Sequence, residues 1–390
     1  MTRPRVLFHC QQTTGLGHLV RAMNLAEGLA HDFDVTLLNG GPWPAELAEP
    51  EAIDVVHLPP LGLDADYALV SRDERYGVEE ALRLRVAMIQ ESFRRTAPDV
   101  LLIELFPFGR RKFETELIPL LEAAHSPGRR PFVACSLRDI LVHSRRNQLG
   151  HDDRASQLAN EYFDAVLVHA DARFATLEET FRPTIPLRVP VHYTGFVRAP
   201  RSHDRAIEPQ RRVLVSAGGG RVGAPLFRAA AEAAPHLLDE HGLRTVVVTG
   251  PFLPDPVVTE LSRRASTARG LEVMRYLPDL GAEMAVSAVS VSQAGYNTVM
   301  DILGCTTPAV VVPYGEGRED EQPARAVKLE RLGAVRVLDP SILSARTFTA
   351  AVRDAVNWTP LALPLDLDGR SRTPELLKSL CLARDVEPAP

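Results

Sequence analysis

The chain has 390 residues, 45% of them hydrophobic and 24% charged, with a net charge of -6. That length suits two domains, each large enough for its own core, and the composition is that of a globular protein. The acidic balance excludes a nucleic-acid binder of the basic-patch type, and no apolar run reaches the roughly 18–20 residues that cross a bilayer. The cysteines, Cys10, Cys135, Cys305 and Cys381, are scattered without a CxxC pair. They fit reduced thiols in a cytoplasmic protein better than disulfides or a zinc site. The opening MTRPRVLFHCQQ enters a strand directly, so no signal peptide is expected.

In chain order, Arg5–Cys10 reads as a buried parallel strand. Gln11–Gly17 is a polar, glycine-bearing loop, and from Leu19 the apolar residues Leu19, Ala22, Met23, Ala26, Leu29 and Ala30 follow the helical period. Strands are expected at Phe33–Leu38, Ile53–Leu58, Asp99–Ile103, Phe132–Ser136 and Ala165–His169. Helices are expected at Glu79–Thr96, with Leu82, Val86, Ile89 and Phe93 on one face, and at Phe113–Ala124. Pro59–Arg75 reads as a long loop, and long loops in compact domains are often functional. The alternation makes 1–198 one α/β domain with a parallel sheet, and the polar, proline-bearing 199–211 a linker.

The pattern then restarts. Arg212–Val215 is a strand, Ser216–Gly223 a glycine loop and Ala224–Leu238 a helix. Thr245–Thr249, Leu271–Arg275, Ala288–Val291, Ala309–Val312 and Ala334–Val337 follow as strands, with helices at Pro256–Ala268, Asn297–Leu303 and Ala345–Val356. A charged loop is expected to end in Glu321-Gln322. The second domain is set at 212–370, and 371–390 is a helical tail that could pack back on the first domain. The fold class is therefore α/β, with two Rossmann-like doubly wound domains.

Ligands bind open α/β sheets beyond the carboxyl ends of their strands, and there the candidate residues gather. Gly15 and Gly17 let backbone approach a ligand, and His18 at the following helix start has access to a proton-transfer position. Glu104, at a strand end, can orient and polarise a histidine. Gly218, Gly219 and Gly220 leave room for phosphates, with Arg221 to neutralise charge; the Lys-Ser/Thr of a P-loop is missing. The helix start at Gly295, Tyr296, Asn297 and Thr298 offers free N–H groups to a phosphate, and Asp301, one turn on, suits a hydroxyl pair. Each also has a plainer reading, as a turn glycine, a helix-start residue or a solvated loop carboxylate.

The basic runs Arg110-Arg111-Lys112, Arg129-Arg130 and Arg145-Arg146 are solvated faces or a seat for an anionic acceptor or lipid. Asp64-Ala65-Asp66 matches the DxD pattern of metal-dependent transferases, a spacing common by chance. No cluster has metal-ligand spacing, so no metal or other cofactor is expected.

Taken together, these residues resemble the GT-B glycosyltransferases, most closely family 28 and the lipid-linked N-acetylglucosaminyltransferase group of peptidoglycan synthesis. The resemblance runs through Gly15–His18, Gly218–Gly220, Arg275–Asp279, Gly295–Asp301 and Glu321-Gln322 with Ala324 and Ala326. It implies two domains facing a central cleft and a UDP-sugar donor. It implies backbone near Leu277 on the nucleobase and Asp301 on the ribose, where the family more often has Glu. Gly218–Gly220 and Gly295–Thr298 would hold the diphosphate, Glu321 and Gln322 the donor sugar. His18 would act at the reaction centre as general base, with Glu104 in the place of its carboxylate partner. The implied activity is metal-independent, inverting transfer to an acceptor hydroxyl on a small molecule, glycan or lipid. The implied location is the cytoplasm, with peripheral membrane contact left open.

Gly15–Arg21 also resembles the UDP-sugar hydrolases of nonulosonic acid synthesis, which use water as acceptor. The alternatives to transfer are therefore a nucleotide-sugar hydrolase and a non-catalytic nucleotide-sugar-binding protein.

Overall fold

The structure, a computed structural model, describes residues 3–13, 15–64, 66–128, 130–200, 210–315 and 319–386. Residues 201–209 of the expected linker, Arg129 of the Arg129-Arg130 run and the last four residues of the expected tail lie outside the described residues. The chain forms two compact units: Met1–Thr14, His18–Arg198 and Leu365–Pro390 make the first, Gly15–Gly17 and Ala199–Pro364 the second. Among the described residues no helix is long and apolar enough to cross a membrane.

In the first unit, β1 (Arg5–Cys10) leads to α1 (Gly17–Leu29), β2 (Asp34–Asn39), β3 (Asp54–His57), β4 (Leu61–Leu63), β5 (Leu69–Ser71) and α2 (Val78–Thr96). Then come β6 (Val100–Glu104), α3 (Glu114–Ala124), β7 (Phe132–Arg138), α4 (Gln148–Tyr162), β8 (Ala165–His169) and β9 (Val191–Tyr193). The seven-stranded sheet runs β3-β2-β1-β6-β7-β8-β9, every pair parallel. Strands buried on both faces carry continuous apolar runs, as VLLIE in β6 does. The order reverses between β1 and β6, which makes the carboxyl ends of these two strands the switch point where ligands bind in such sheets.

The structure corrects parts of this reading in the first unit. Pro59–Arg75 is no open loop: β4 and β5 pair in an antiparallel hairpin within it. Asp64 caps its turn, accepting from Asp66 N at 3.0 Å and Ala68 N at 2.7 Å, so this aspartate of the DxD pattern is a turn former. Three-residue strands carry too little alternation to be read. β9 was missed for the same reason.

Helix α2 buries Ala81, Arg85, Ile89 and Ser92, whereas Leu82, Val86 and Phe93 are half-buried. The helix is rotated because Arg85 is enclosed. Its guanidinium makes 2.6 Å bonds to both oxygens of buried Glu116 on α3 and to Gln11 Oε1, and reaches Gly40 O at 2.7 Å. A periodicity count treats arginine as polar and cannot anticipate a paired guanidinium in the core.

In the second unit, β10 (Gln210–Ser216), α5 (Ala224–His241), β11 (Arg244–Val248), α6 (Asp255–Ala265), β12 (Leu271–Met274) and α7 (Leu280–Ala285) precede β13 (Ser287–Ser292). They are followed by α8 (Tyr296–Leu303), β14 (Ala309–Val311), α9 (Glu321–Arg331), β15 (Arg336–Val337) and α10 (Ala345–Val356). The six-stranded parallel sheet runs β12-β11-β10-β13-β14-β15, with its reversal between β10 and β13. Val213, Val215, Val247, Val289 and Val291 pack with Phe227, Ala230, Leu237, Phe348 and Val352 in its core. Two elements differ from expectation. The short α7, capped by Asp279 Oδ1 on Ala282 N at 2.8 Å, was missed. Glu321 and Gln322 open α9 and do not end a loop.

The chain returns to the first unit at Leu365, a few residues before the boundary read at 370. Asp366 N donates to Asp171 Oδ2 at 2.9 Å, Val197 bridges Asp368, and α11 (Gly369–Val386) follows. Arg370 Nη2 bonds Glu27 Oε2 at 3.1 Å, Lys378 pairs with Asp32, and Arg384 Nη1 reaches Pro131 O at 2.8 Å.

Candidate functional site

In the first unit, parallel pairing of β1 with β6 brings the α1 start and the β6 end together at the switch point. His18 Nδ1 lies 2.6 Å from Glu104 Oε1. Arg21, three residues on and thus on the same face of α1, donates to that same oxygen. Arg110 Nη2 stands 3.8 Å from the other oxygen, Oε2, and its Nη1 donates to Thr13 Oγ1 at 3.1 Å. The Glu104 side chain is wholly enclosed, while that of His18 keeps 14% exposure.

The segment that delivers these groups is strained and tightly held. Leu105 and Arg110 have φ of 65° and 60°, left-handed values that cost a non-glycine residue about 1–3 kcal/mol. Phe106 and Phe108 are fully buried between them, and Phe108 packs edge-on to Phe181 at 4.9 Å. Packing of this kind can hold a strained loop that aims side chains.

Burial pushes His18 down to about 3, and Arg110 and Arg138 push the same way against the pull of Glu104. Burial raises Glu104, but His18, Arg21 and Arg110 outweigh it and hold the carboxyl below its ordinary range. At neutral pH the carboxylate is therefore ionised and the imidazole neutral. An ionised carboxylate accepts only, so Nδ1 carries the proton and Nε2 the lone pair. The arrangement can take a proton at Nε2 and stabilise the resulting imidazolium through Glu104.

In the second unit the corresponding edge lies beyond β10 and β13, whose last residues Ser216 and Ser292 are register partners. Gly218–Gly220 follows β10, and α8 follows β13 with Gly295 as an extended N-cap that brings no side-chain hydrogen bond. The first-turn N–H groups of Tyr296, Asn297 and Thr298 thus face forward with the positive end of the helix dipole. A Cβ on Gly295 or Gly218 would meet nothing within 4 Å, which leaves open space at both.

Gly220 differs: with φ +85°, its added Cβ would lie 1.9 Å from Thr249 O. Of the three glycines read as phosphate room, this one is required by packing. Arg221 is exposed, and Leu277 is half-buried in the turn after β12. Asp301 is half-buried on α8, with its Oδ1 3.1 Å from where a Cβ on Gly281 would stand. Gln322 Oε1 accepts from Ala294 N and Tyr314 N, both at 3.1 Å, and so ties the turn before α8 to the segment that follows β14. Glu321 is buried one residue before it. Arg325 Nη1 donates to Ala294 O at 2.8 Å from the next turn of α9.

Sequence reasoning missed the direct bond of Arg21 to Glu104 and the placing of Arg110 beside it. The signal available for Arg21 was its i+3 spacing from His18; for Arg110 there was only a basic run. Three other members of those runs are locally engaged. Lys112 donates to Tyr67 O, Arg130 pairs with Asp164 at 2.9 Å, and Arg145 donates to Val142 O.

Residues 213–360 match the glycosyltransferase family 28 C-terminal domain. A UDP-N-acetylglucosamine–N-acetylmuramyl-(pentapeptide) pyrophosphoryl-undecaprenol N-acetylglucosamine transferase of Mesorhizobium japonicum is 26% identical over 57% of this chain and 58% of its own length. The enzyme of that name from Rhizobium leguminosarum bv. trifolii is also 26% identical, over 42% of this chain and 44% of its own. The chain thus spans less than two thirds of either relative. Among solved structures, Medicago truncatula UGT71G1 complexed with UDP-glucose has a TM-score of 0.61 at 13% identity, covering 97% of this chain and 98% of that one. Acinetobacter baumannii MurG has a TM-score of 0.56 at 14% identity, covering 96% of this chain and 100% of that one. With the two doubly wound sheets and the matched domain, these likenesses identify the chain as a GT-B-fold protein that carries a glycosyltransferase family 28 C-terminal domain in its second unit.

Proposed function

We propose that the protein is a glycosyltransferase that moves a sugar from a nucleotide-diphosphate sugar, UDP-sugar in preference, to an acceptor hydroxyl with inversion and without a metal. The observation that carries this reading is the 2.6 Å pairing of His18 with Glu104 at the switch point of the first sheet. The family 28 match, and the UDP-sugars in the names of the relatives and of a structural neighbour, support the donor class.

His18 Nε2 takes the proton of the acceptor hydroxyl as its oxygen attacks the anomeric carbon. The bond from that carbon to the diphosphate oxygen breaks, and its electron pair leaves with the diphosphate. A positioned base contributes roughly 10²–10⁴-fold to such a step. In the second unit, the N-terminal end of α8 with its dipole and the open backbone at Gly218 receive the diphosphate charge. Asp301 accepts from the ribose hydroxyls, and backbone near Leu277 meets the base. Gln322, whose carbonyl is already engaged, offers its Nε2 to the donor sugar beside Glu321. Gly15 and Gly17 keep the approach to His18 free of side chains.

The test is a melting curve with UDP, TDP, GDP and ADP, run with and without EDTA. A ligand at about 100 times its Kd adds roughly 2.7 kcal/mol. A shift with one diphosphate that EDTA leaves intact supports a metal-free donor site; no shift with any of the four overturns the reading. Incubation with the matching nucleotide sugar then separates transfer from hydrolysis. Diphosphate release that rises with added acceptor alcohols marks transfer, and free sugar at an unchanged rate marks the hydrolase.

A further inference from the structure

In the first unit, Glu104 Oε1 is the meeting point of two donors. His18 Nδ1 reaches it at 2.6 Å, and Arg21 Nη2 donates to it from the next turn of the same helix. The carboxylate and guanidinium are enclosed, with side-chain exposures of 0% and 2%. Two donors on one oxygen fix the carboxylate in rotation. They also divide its charge, because an oxygen already facing a guanidinium attracts an imidazolium less strongly. Arg110, 3.8 Å from Oε2, adds a second cation on the far side.

We infer that Arg21 is a positioning residue for the proposed base: it locks the Glu104 carboxylate and restrains its pull on His18, so that the imidazole stays neutral until a proton arrives from the acceptor. This rests on the reading of His18 as base. The groups facing His18 are Glu104 from β6, Arg110 from the loop after it, Arg138 from the end of β7 and Cys10 from β1, whose Sγ lies 3.7 Å from His18 O. Cys135 of β7 and His169 of β8 also interact electrostatically with Glu104. His169 is fixed between the hydroxyls of Ser136 and Thr194, at 2.8 Å from each. Removing Arg21 leaves the carboxylate to the imidazole and Arg110. The sign follows: His18 then holds a proton more readily.

The experiment follows the ring nitrogens of His18 by NMR on the full chain across pH, without substrate, in wild type, Arg21→Met and Arg21→Lys. The expected result is a rise of about tenfold in the proton affinity of His18 in Arg21→Met, with Arg21→Lys between the two. Arg21→Met should also lose turnover most strongly at acidic pH. A His18 titration that stays with wild type, beside a loss of turnover equal at all pH values, overturns the inference. Should Arg21→Met not fold, Arg21→Met/Glu104→Gln removes both charges and is compared with Glu104→Gln alone. Coinciding His18 titrations in those two proteins support action through Glu104, and diverging ones overturn it. A protein without transfer activity whose His18 still responds to Arg21→Met would sink the transfer reading and leave the role of Arg21 standing.

Discussion

His18 and Glu104 are 86 residues apart in sequence, yet Nδ1 and Oε1 stand 2.6 Å apart, because β1 and β6 are neighbours in the sheet. The bond defines which ring nitrogen is left to act. His18→Ala should lower turnover by roughly 10²–10⁴-fold and leave the Kd for the nucleoside diphosphate unchanged. Parallel initial-rate and calorimetric measurements check both halves. Near-normal turnover would remove His18 as base.

Asp301→Ala should act in the opposite way. If Asp301 accepts from a ribose hydroxyl pair, its loss weakens diphosphate binding by about 1.5–3 kcal/mol, the range for hydrogen bonds to charged groups. The 2′-deoxy nucleotide, offering one hydroxyl fewer, should lose less from the substitution than the ribonucleotide. Equal affinity of the variant and wild type for UDP would refute the ribose contact.

The buried pair Arg85–Glu116 makes a prediction about stability. Burial raises Glu116, but the bonds from Arg85 outweigh it and bring the carboxyl down to about 2. Its folded value thus lies below the unfolded one of about 4.3, so the unfolded chain binds the proton first on acidification. The contribution is present above the unfolded value and is lost as pH falls towards about 2. Glu116→Gln leaves Arg85 enclosed without its anion and should cost about 3–5 kcal/mol at neutral pH. Urea melts of wild type and variant at pH 7 and pH 3 should show the gap narrowing at the lower pH. A gap of constant size would mean that the pair does not govern acid stability.

Much of this was legible in the sequence. Strands buried on both faces, such as β6 and β8, carry apolar runs of four residues, VLLI and AVLV, and His18, Glu104 and Gly295 stand at strand ends or helix starts where ligand-binding groups gather. What was not legible is what depends on partners distant in sequence. Arg85 looks like a surface residue until Glu116 and Gln11 surround it. The bond of Arg21 to Glu104 cannot be read before β1 and β6 are known to be adjacent. Nor can the role of Gly220, which depends on the backbone of Thr249.

The glycine loop after β10 allows those two kinds of glycine to be told apart by substitution. Gly218 has φ +54° and open space around an added Cβ, so Gly218→Ala meets only the left-handed backbone penalty of about 1–2 kcal/mol. The protein should fold, and its diphosphate affinity should fall because a methyl group enters the proposed phosphate position. Gly220 has φ +85° and an added Cβ 1.9 Å from Thr249 O, a backbone atom that cannot swing aside. Gly220→Ala therefore combines the same penalty with a displaced strand end and should cost well over 2 kcal/mol, with loss of cooperative melting in the second unit. Melting curves and diphosphate titrations of both variants check the contrast. If Gly218→Ala binds as wild type does, the loop is a packing element throughout, and the diphosphate charge falls to α8 alone.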